Sequence, residues 1–228
     1  MLDPILDRMD YPLHRGLVRI GPPGVRAAVT NMHRLDASPR VGDALVVVDL
    51  QRDFLSGGAL AVAQGGRVLT SINDYLKQFV ARRLPVFATR DWHPRDHCSF
   101  VERGGPWPPH CVAGSAGAEF GDGLDLPAEA VIISKATTAE RDAYSGFEGT
   151  DLQARLRQAH VSRLFVGGLA TDYCVLQTVI DARSLGFAVV LLGDAIAAVD
   201  AHPGDGERAI DRMRAAGATL IDRSGLQP

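Results

Sequence analysis

The sequence predicts an α/β domain, an open and mostly parallel six-stranded sheet with helices on both faces. Three observations carry this prediction. Short β-branched runs recur from residue 44 onward, apolar on both faces as buried parallel strands are. Stretches with apolar residues near a 3.6-residue period lie between them. Strand–helix alternation at this spacing implies right-handed crossovers, which put helices on both sides of the sheet.

Residues 1–40 stand apart, with Pro4, Pro12, Pro22, Pro23 and Pro39, several arginines and no sustained period. They read as an irregular arm with at most one short helical turn, and residues 41–228 as a single domain. The first strand is ALVVVDL (44–50). The helix after it, 68–83, places Val68, Ile72, Leu76, Phe79 and Val80 on one face. PVFATR (85–90) and AVIIS (130–134) follow as strands, separated by a long polar loop rather than a helix. DLQARLRQA (151–159) reads as a helix, RLFVGG (163–168) as the fourth strand, and DYCVLQTVIDARSL (172–185) as the helix leaving it. AVVLL (188–192), the helix 206–216 and a short strand ATLI (218–221) complete the series.

Composition excludes several classes. The chain has 228 residues, 46% hydrophobic and 22% charged, the balance of a globular domain. A net charge of −3 without a basic stripe gives no footprint for nucleic acid. No apolar run approaches the roughly 20 residues that span a bilayer. The first 21 residues, broken by charges and prolines, have no apolar signal core, so the expected compartment is the cytoplasm. Three cysteines are too few for a disulfide scaffold and leave at least one thiol unpaired.

In an open parallel sheet, sites form beyond the carboxyl ends of the strands. Asp49 ends the first strand in VVVDLQRDF, where a solvated surface charge is out of place; the plainer alternative is a turn cap. Asp53, four residues on, fits a cap as well as chemistry. Lys135 ends the third strand, and Cys174 follows the fourth in FVGGLATDYCVLQT. With Thr171 as N-cap, Cys174 becomes the third helical residue, where amide N–H groups and the helix dipole would lower the thiol pKa. A small buried hydrophobe is the commoner role of such a cysteine. Together, a thiol, a carboxylate to move its proton and a lysine make a nucleophilic site. The loop after the second strand gathers Asp91, His93, His97 and His110, one carboxylate with three imidazoles, a donor set suited to a divalent metal: zinc first, with iron or manganese as alternatives. Otherwise these are incidental histidines of a proline-stiffened loop. Cys98 and Cys111 beside them read as further thiolate ligands, a disulfide pair or buried free thiols.

The segments VVVDLQRDF, TRDWHPRDHCSF, WPPHCV, SKATT…DAYSGFEGT and VGGLATDYCV, in this order over about residues 44–221, resemble the nicotinamidase/pyrazinamidase branch of the isochorismatase-like cysteine hydrolases. The resemblance implies hydrolysis of nicotinamide, and of pyrazinamide, to the carboxylic acid and ammonia through a cysteine thioester. It implies a triad of Asp49, Lys135 and Cys174, and metal ligation by Asp91, His93, His97 and His110. It also implies a cis Leu169–Ala170 peptide that aims the Ala170 and Cys174 amides at an oxyanion, and substrate contacts from Phe54, Trp107 and Leu169. Homo-oligomers and a place in NAD salvage follow from the same likeness. One departure is Ala136, where the family usually has glycine after the lysine. The competing readings are a sister hydrolase of another small amide or carbamoyl compound, and a non-catalytic metal-binding protein of the same fold. No G-x-G-x-x-G follows the first strand and no G-x-S-x-G is present, which sets aside a dinucleotide binder and a serine hydrolase.

Overall fold

The computed structural model describes residues 38–223, so the expected arm, apart from residues 38–40, lies outside the described residues. Six strands form one sheet: β1 (Asp43–Val48), β2 (Val86–Asp91), β3 (Val131–Lys135), β4 (Arg163–Leu169), β5 (Ala188–Ala197) and β6 (Thr219–Ile221). Their spatial order is β3-β2-β1-β4-β5-β6 and every pairing is parallel. The helices are α1 (Gly65–Ala81), α2 (Leu152–Gln158), α3 (Leu176–Ser184) and α4 (Asp205–Ala215).

Residue alternation along β1 sorts the core into two layers. Leu45 and Val47 pack with Val68, Ile72, Tyr75, Leu76 and Phe79 of α1 on one face. Ala44, Val46 and Val48 pack with Leu152 and Leu156 of α2, Val179 and Ala182 of α3, and Met213 of α4 on the other. Every residue of β1 is buried, which explains its unbroken apolar run. The chain lays down β1, β2 and β3 toward one edge and then returns to place β4 on the other side of β1. That reversal opens a crevice at the carboxyl ends of β1 and β4.

Two elements depart from the sequence expectation. β5 continues five residues beyond Leu192, because a register shift between Val166 and Gly168 lets Gly168 and Leu169 pair with Ile196 and Ala197. Asp194 is tolerated there since it accepts a hydrogen bond from the Tyr75 hydroxyl at 2.7 Å and faces Arg223. The helix after β4 does not start with Thr171 as its cap. Ala170 holds the cap position in extended conformation, and Thr171–Val175 form a π-helical turn that leads into α3. Among the described residues no helix is long and apolar enough to cross a membrane.

Candidate active site

Four strand ends converge. Asp49 directly follows β1, Asp91 ends β2, Lys135 ends β3, and Cys174 lies in the turn after β4. All four are buried, with exposures of 0%, 5%, 1% and 6% in that order. Lys135 sits in their midst. Its ammonium stands 3.0 Å from Asp49 Oδ2 and 3.4 Å from Cys174 Sγ, donates to the Ala143 carbonyl at 3.1 Å, and makes a short ion pair with Asp91. Thr89 Oγ1 donates to Asp49 Oδ1 at 2.7 Å. Asp49 Oδ2 has no aligned hydrogen-bond donor, so its contact with Lys135 is Coulombic and one lone pair is left for a proton.

Three acids share one cation here, and that decides the protonation. Burial opposes the charge on Lys135, but Asp49 and Asp91 hold its pKa well above the usual value. Burial also disfavours an Asp91 carboxylate, yet Lys135 and the neighbouring histidines outweigh it and keep the pKa low. With that pair ionised, burial raises the pKa of Asp49 and, strongly, that of the Cys174 thiol, while Lys135 pulls both down and the nearby carboxylates push them up. Asp49 and Cys174 therefore hold one proton between them. The expected lowering of the thiol pKa by a helix terminus is overturned: desolvation and two carboxylates exceed what one turn of amides supplies.

Of the four expected metal donors, three meet. Ligand atoms of Asp91, His93 and His110 lie within 4.8 Å of one another. His93 Nδ1 faces the Ala136 carbonyl at 3.3 Å and His110 Nδ1 the Pro108 carbonyl at 2.8 Å, which leaves each Nε2 as a lone-pair donor. Burial, only partly offset by Asp91, lowers the His93 pKa to about 4, so its imidazole is neutral at neutral pH as a ligand must be. The chemistry of this donor set fits a divalent metal. His97 stands outside it: the ring stacks on His93 at 4.2 Å, with Nδ1 2.7 Å from Ser99 Oγ and Nε2 3.0 Å from the Arg141 carbonyl. Cys98 and Cys111 are free thiols and neither joins the donors. Asp53 takes the plainer role, its carboxylate accepting the amides of Cys111 at 2.7 Å and Ala59 at 3.2 Å.

A pocket with about 380 Å³ of empty space, mouth included, opens over Cys174. Phe54 and Trp107, the aromatics that the family resemblance singles out, line it with Ala170 and the metal-facing pair Asp91 and His110. The Leu169–Ala170 peptide is cis. Leu169 itself is not a lining residue; its side chain is buried among Phe165, Val62 and other core residues. Five wall residues escaped the sequence reading: Leu60, Val62, Tyr144, which accepts a hydrogen bond from Trp107 Nε1 at 3.1 Å, Tyr173, whose ring meets Trp107 edge-on at 5.2 Å, and Val199. Gln51 escaped it too, although its amide reads both the N–H and the carbonyl of Asp91, at 2.8 and 2.7 Å. Tyr173 and Gln51 lie inside the quoted motifs, and their closeness to Cys174 and Asp49 was the available signal.

Residues 43–224 match the isochorismatase domain family. The nicotinamidase/pyrazinamidase of Mycobacterium tuberculosis is 43% identical over 187 residues, covering 78% of this chain and 97% of that protein. The crystal structure of a Pyrococcus horikoshii pyrazinamidase in complex with zinc superposes with a TM-score of 0.76 at 50% identity, over 79% of this chain and 99% of the other. The crystal structure of PnC1 from L. infantum in complex with nicotinate gives a TM-score of 0.77 at 42% identity, over 82% of this chain and 96% of the other. With the family match spanning the whole sheet and every strand-end residue of the site, this chain belongs to the isochorismatase-domain family, in its nicotinamidase/pyrazinamidase branch.

Proposed function

We propose that the protein is a nicotinamidase, which hydrolyses nicotinamide, and pyrazinamide with it, to the carboxylic acid and ammonia. The observation that supports this most is the approach of Lys135 Nζ to both Cys174 Sγ (3.4 Å) and Asp49 Oδ2 (3.0 Å) beneath an aromatic-walled pocket. Phe54 and Trp107 flank the substrate ring, and Ala170 lines the pocket beside Cys174. Asp49 takes the thiol proton as sulfur adds to the amide carbonyl, so that a thiolate never has to exist alone in this buried site. The Ala170 and Cys174 amides receive the oxyanion. Lys135 opposes the burial that raises the Asp49 pKa, and it counters the charge that develops at sulfur. Asp49 then returns the proton to the leaving nitrogen; ammonia departs and an acyl thioester remains. Water gives a proton to Asp49 as its oxygen adds to the thioester carbonyl; the C–S bond then breaks, Asp49 returns the proton to the leaving sulfur, and the acid is released.

Asp91, His93 and His110 would hold a divalent ion, which supplies a Lewis-acidic anchor for the ring nitrogen. The zinc of the P. horikoshii pyrazinamidase supports zinc here, ahead of iron or manganese. His97 would join these ligands only by turning its ring away from Ser99 and Arg141. The activity belongs to NAD salvage, in the cytoplasm, and the protein assembles as a homo-oligomer.

The test is ammonia release from nicotinamide by metal-replete protein beside Cys174→Ala. Rapid release by the parent and loss of at least about 10³-fold in the variant is the expected result. Equal release by both would exclude Cys174 as the nucleophile.

A further inference from the structure

The pocket wall is built from segments that are not covalent neighbours. The turn after β4 carries Tyr173 and Cys174, and the segment leaving β5 carries Val199. One carboxylate ties them together. Asp172 Oδ1 accepts the amide of Val199 at 3.0 Å, and Oδ2 accepts the amide of Asp200 at 2.9 Å. Asp200, in the left-handed region at φ 53°, then accepts the Gly206 amide at 2.8 Å through Oδ1 and so anchors the start of α4. The 198–204 loop is thus fastened at one end to the nucleophile turn and at the other to α4.

From this we infer that Asp172 is a specificity-determining positioning residue: it fixes the width of the pocket by holding Val199 at a set distance from Tyr173. The carboxylate does not reach the reacting atoms, and it uses both oxygens on adjacent amides, a two-point attachment that fixes orientation as well as distance. Without it, Val199 keeps only its apolar packing, and the loop is held only by its junction with β5 and its tie to α4. A ring in the pocket then meets a wall that yields, which weakens binding of the small substrate and relaxes exclusion of a larger one. This inference rests on the reading that the pocket takes a pyridine carboxamide.

Steady-state kinetics on nicotinamide and on a ring-methylated nicotinamide test it, with Asp172→Ala, Asp172→Asn, Val199→Ala and the Ala/Ala double variant. Asp172→Ala is expected to raise KM for nicotinamide about tenfold, change kcat less than about threefold, and shift kcat/KM about fivefold or more toward the methylated substrate. Asn, with one acceptor oxygen, should fall between parent and Ala. Because Asp172 acts through Val199, the double variant should shift selectivity no further than Val199→Ala alone. Additive shifts, or a fall in kcat with KM unchanged, would overturn the inference. If the parent fails to hydrolyse nicotinamide, the proposed function fails, and the clamp is read instead from amide hydrogen exchange. Faster exchange of Val199 and Asp200 in Asp172→Ala, with β4 unchanged, upholds it; unchanged exchange refutes it.

Discussion

At the scale of single residues, the site is an exercise in charge counting. One ammonium among two carboxylates and a thiol cannot stabilise three anions in a dry crevice, so a proton stays between Asp49 and Cys174. Asp49 is also conformationally special, with φ at 47°, and Ala136 at the next strand end but one has φ at 51°. Left-handed backbone is ordinary for glycine and costs an alanine roughly 1 kcal/mol. The departure from the family glycine at Ala136 is therefore a strained alanine whose carbonyl faces His93. Ala136→Gly is expected to raise stability by up to about 1 kcal/mol, with glycine's larger unfolded-state entropy offsetting part of the gain. Urea midpoints of the two proteins check this, and a clear destabilisation would show that the alanine methyl packs usefully.

Among the elements, β4 and β5 do the most to shape the site. The register shift after Val166 is made at Gly168, whose φ of 131° no L side chain adopts readily and whose added Cβ would lie 2.0 Å from the Val48 carbonyl oxygen. Neither Val48, inside β1, nor the β4 backbone can retreat without breaking the pairing that aligns Asp49 with Cys174. Gly168→Ala should cost more than about 3 kcal/mol or prevent accumulation of folded protein, a size reserved for backbone clashes of this kind. A denaturant curve close to the parent's would mean that the shift is not fixed by this glycine. The π-helical turn belongs to the same scale. It brings Asp172, Tyr173 and Cys174 round within one turn, so that clamp, wall and nucleophile share a single support.

For the molecule as a whole, the two core layers leave the carboxyl edge of the sheet as the place where buried polar groups collect, and this links stability to pH. His93 titrates near 6.5 in an unfolded chain and near 4 when folded, chiefly because burial disfavours its cation. Between those values the unfolded state binds more protons, so stability falls as pH drops through 6.5 and levels off near 4. At about 1.4 kcal/mol per pH unit the full loss from this one group is on the order of 3 kcal/mol. Chelator-treated protein should lose urea resistance along this window, and His93→Asn should lose less. Identical pH slopes for the two proteins would place the acid sensitivity elsewhere. Adding zinc should stabilise the parent most at neutral pH and progressively less as protons compete for the imidazoles, which thermal melts at several pH values can follow.

The fold, the order of its strands along the chain and the Asp49–Lys135–Cys174 convergence were legible in the sequence. Hydrophobic period is a local property, and in a parallel sheet every strand delivers its carboxyl end to one edge, so strand-end residues meet without any knowledge of packing. The tertiary structure alone decided which way the thiol pKa moves, that His97 turns its nitrogens to Ser99 and Arg141, that Leu169 faces the core, and that Tyr144 and Val199 complete the pocket. Apart from the His97–Ser99 contact, these depend on groups far apart in the chain: His97 and Arg141 are 44 residues apart, and Lys135 and Cys174 are 39 apart. Desolvation, Coulombic balance and the choice of hydrogen-bond partner are sums over such neighbours, and no local pattern in the sequence encodes them.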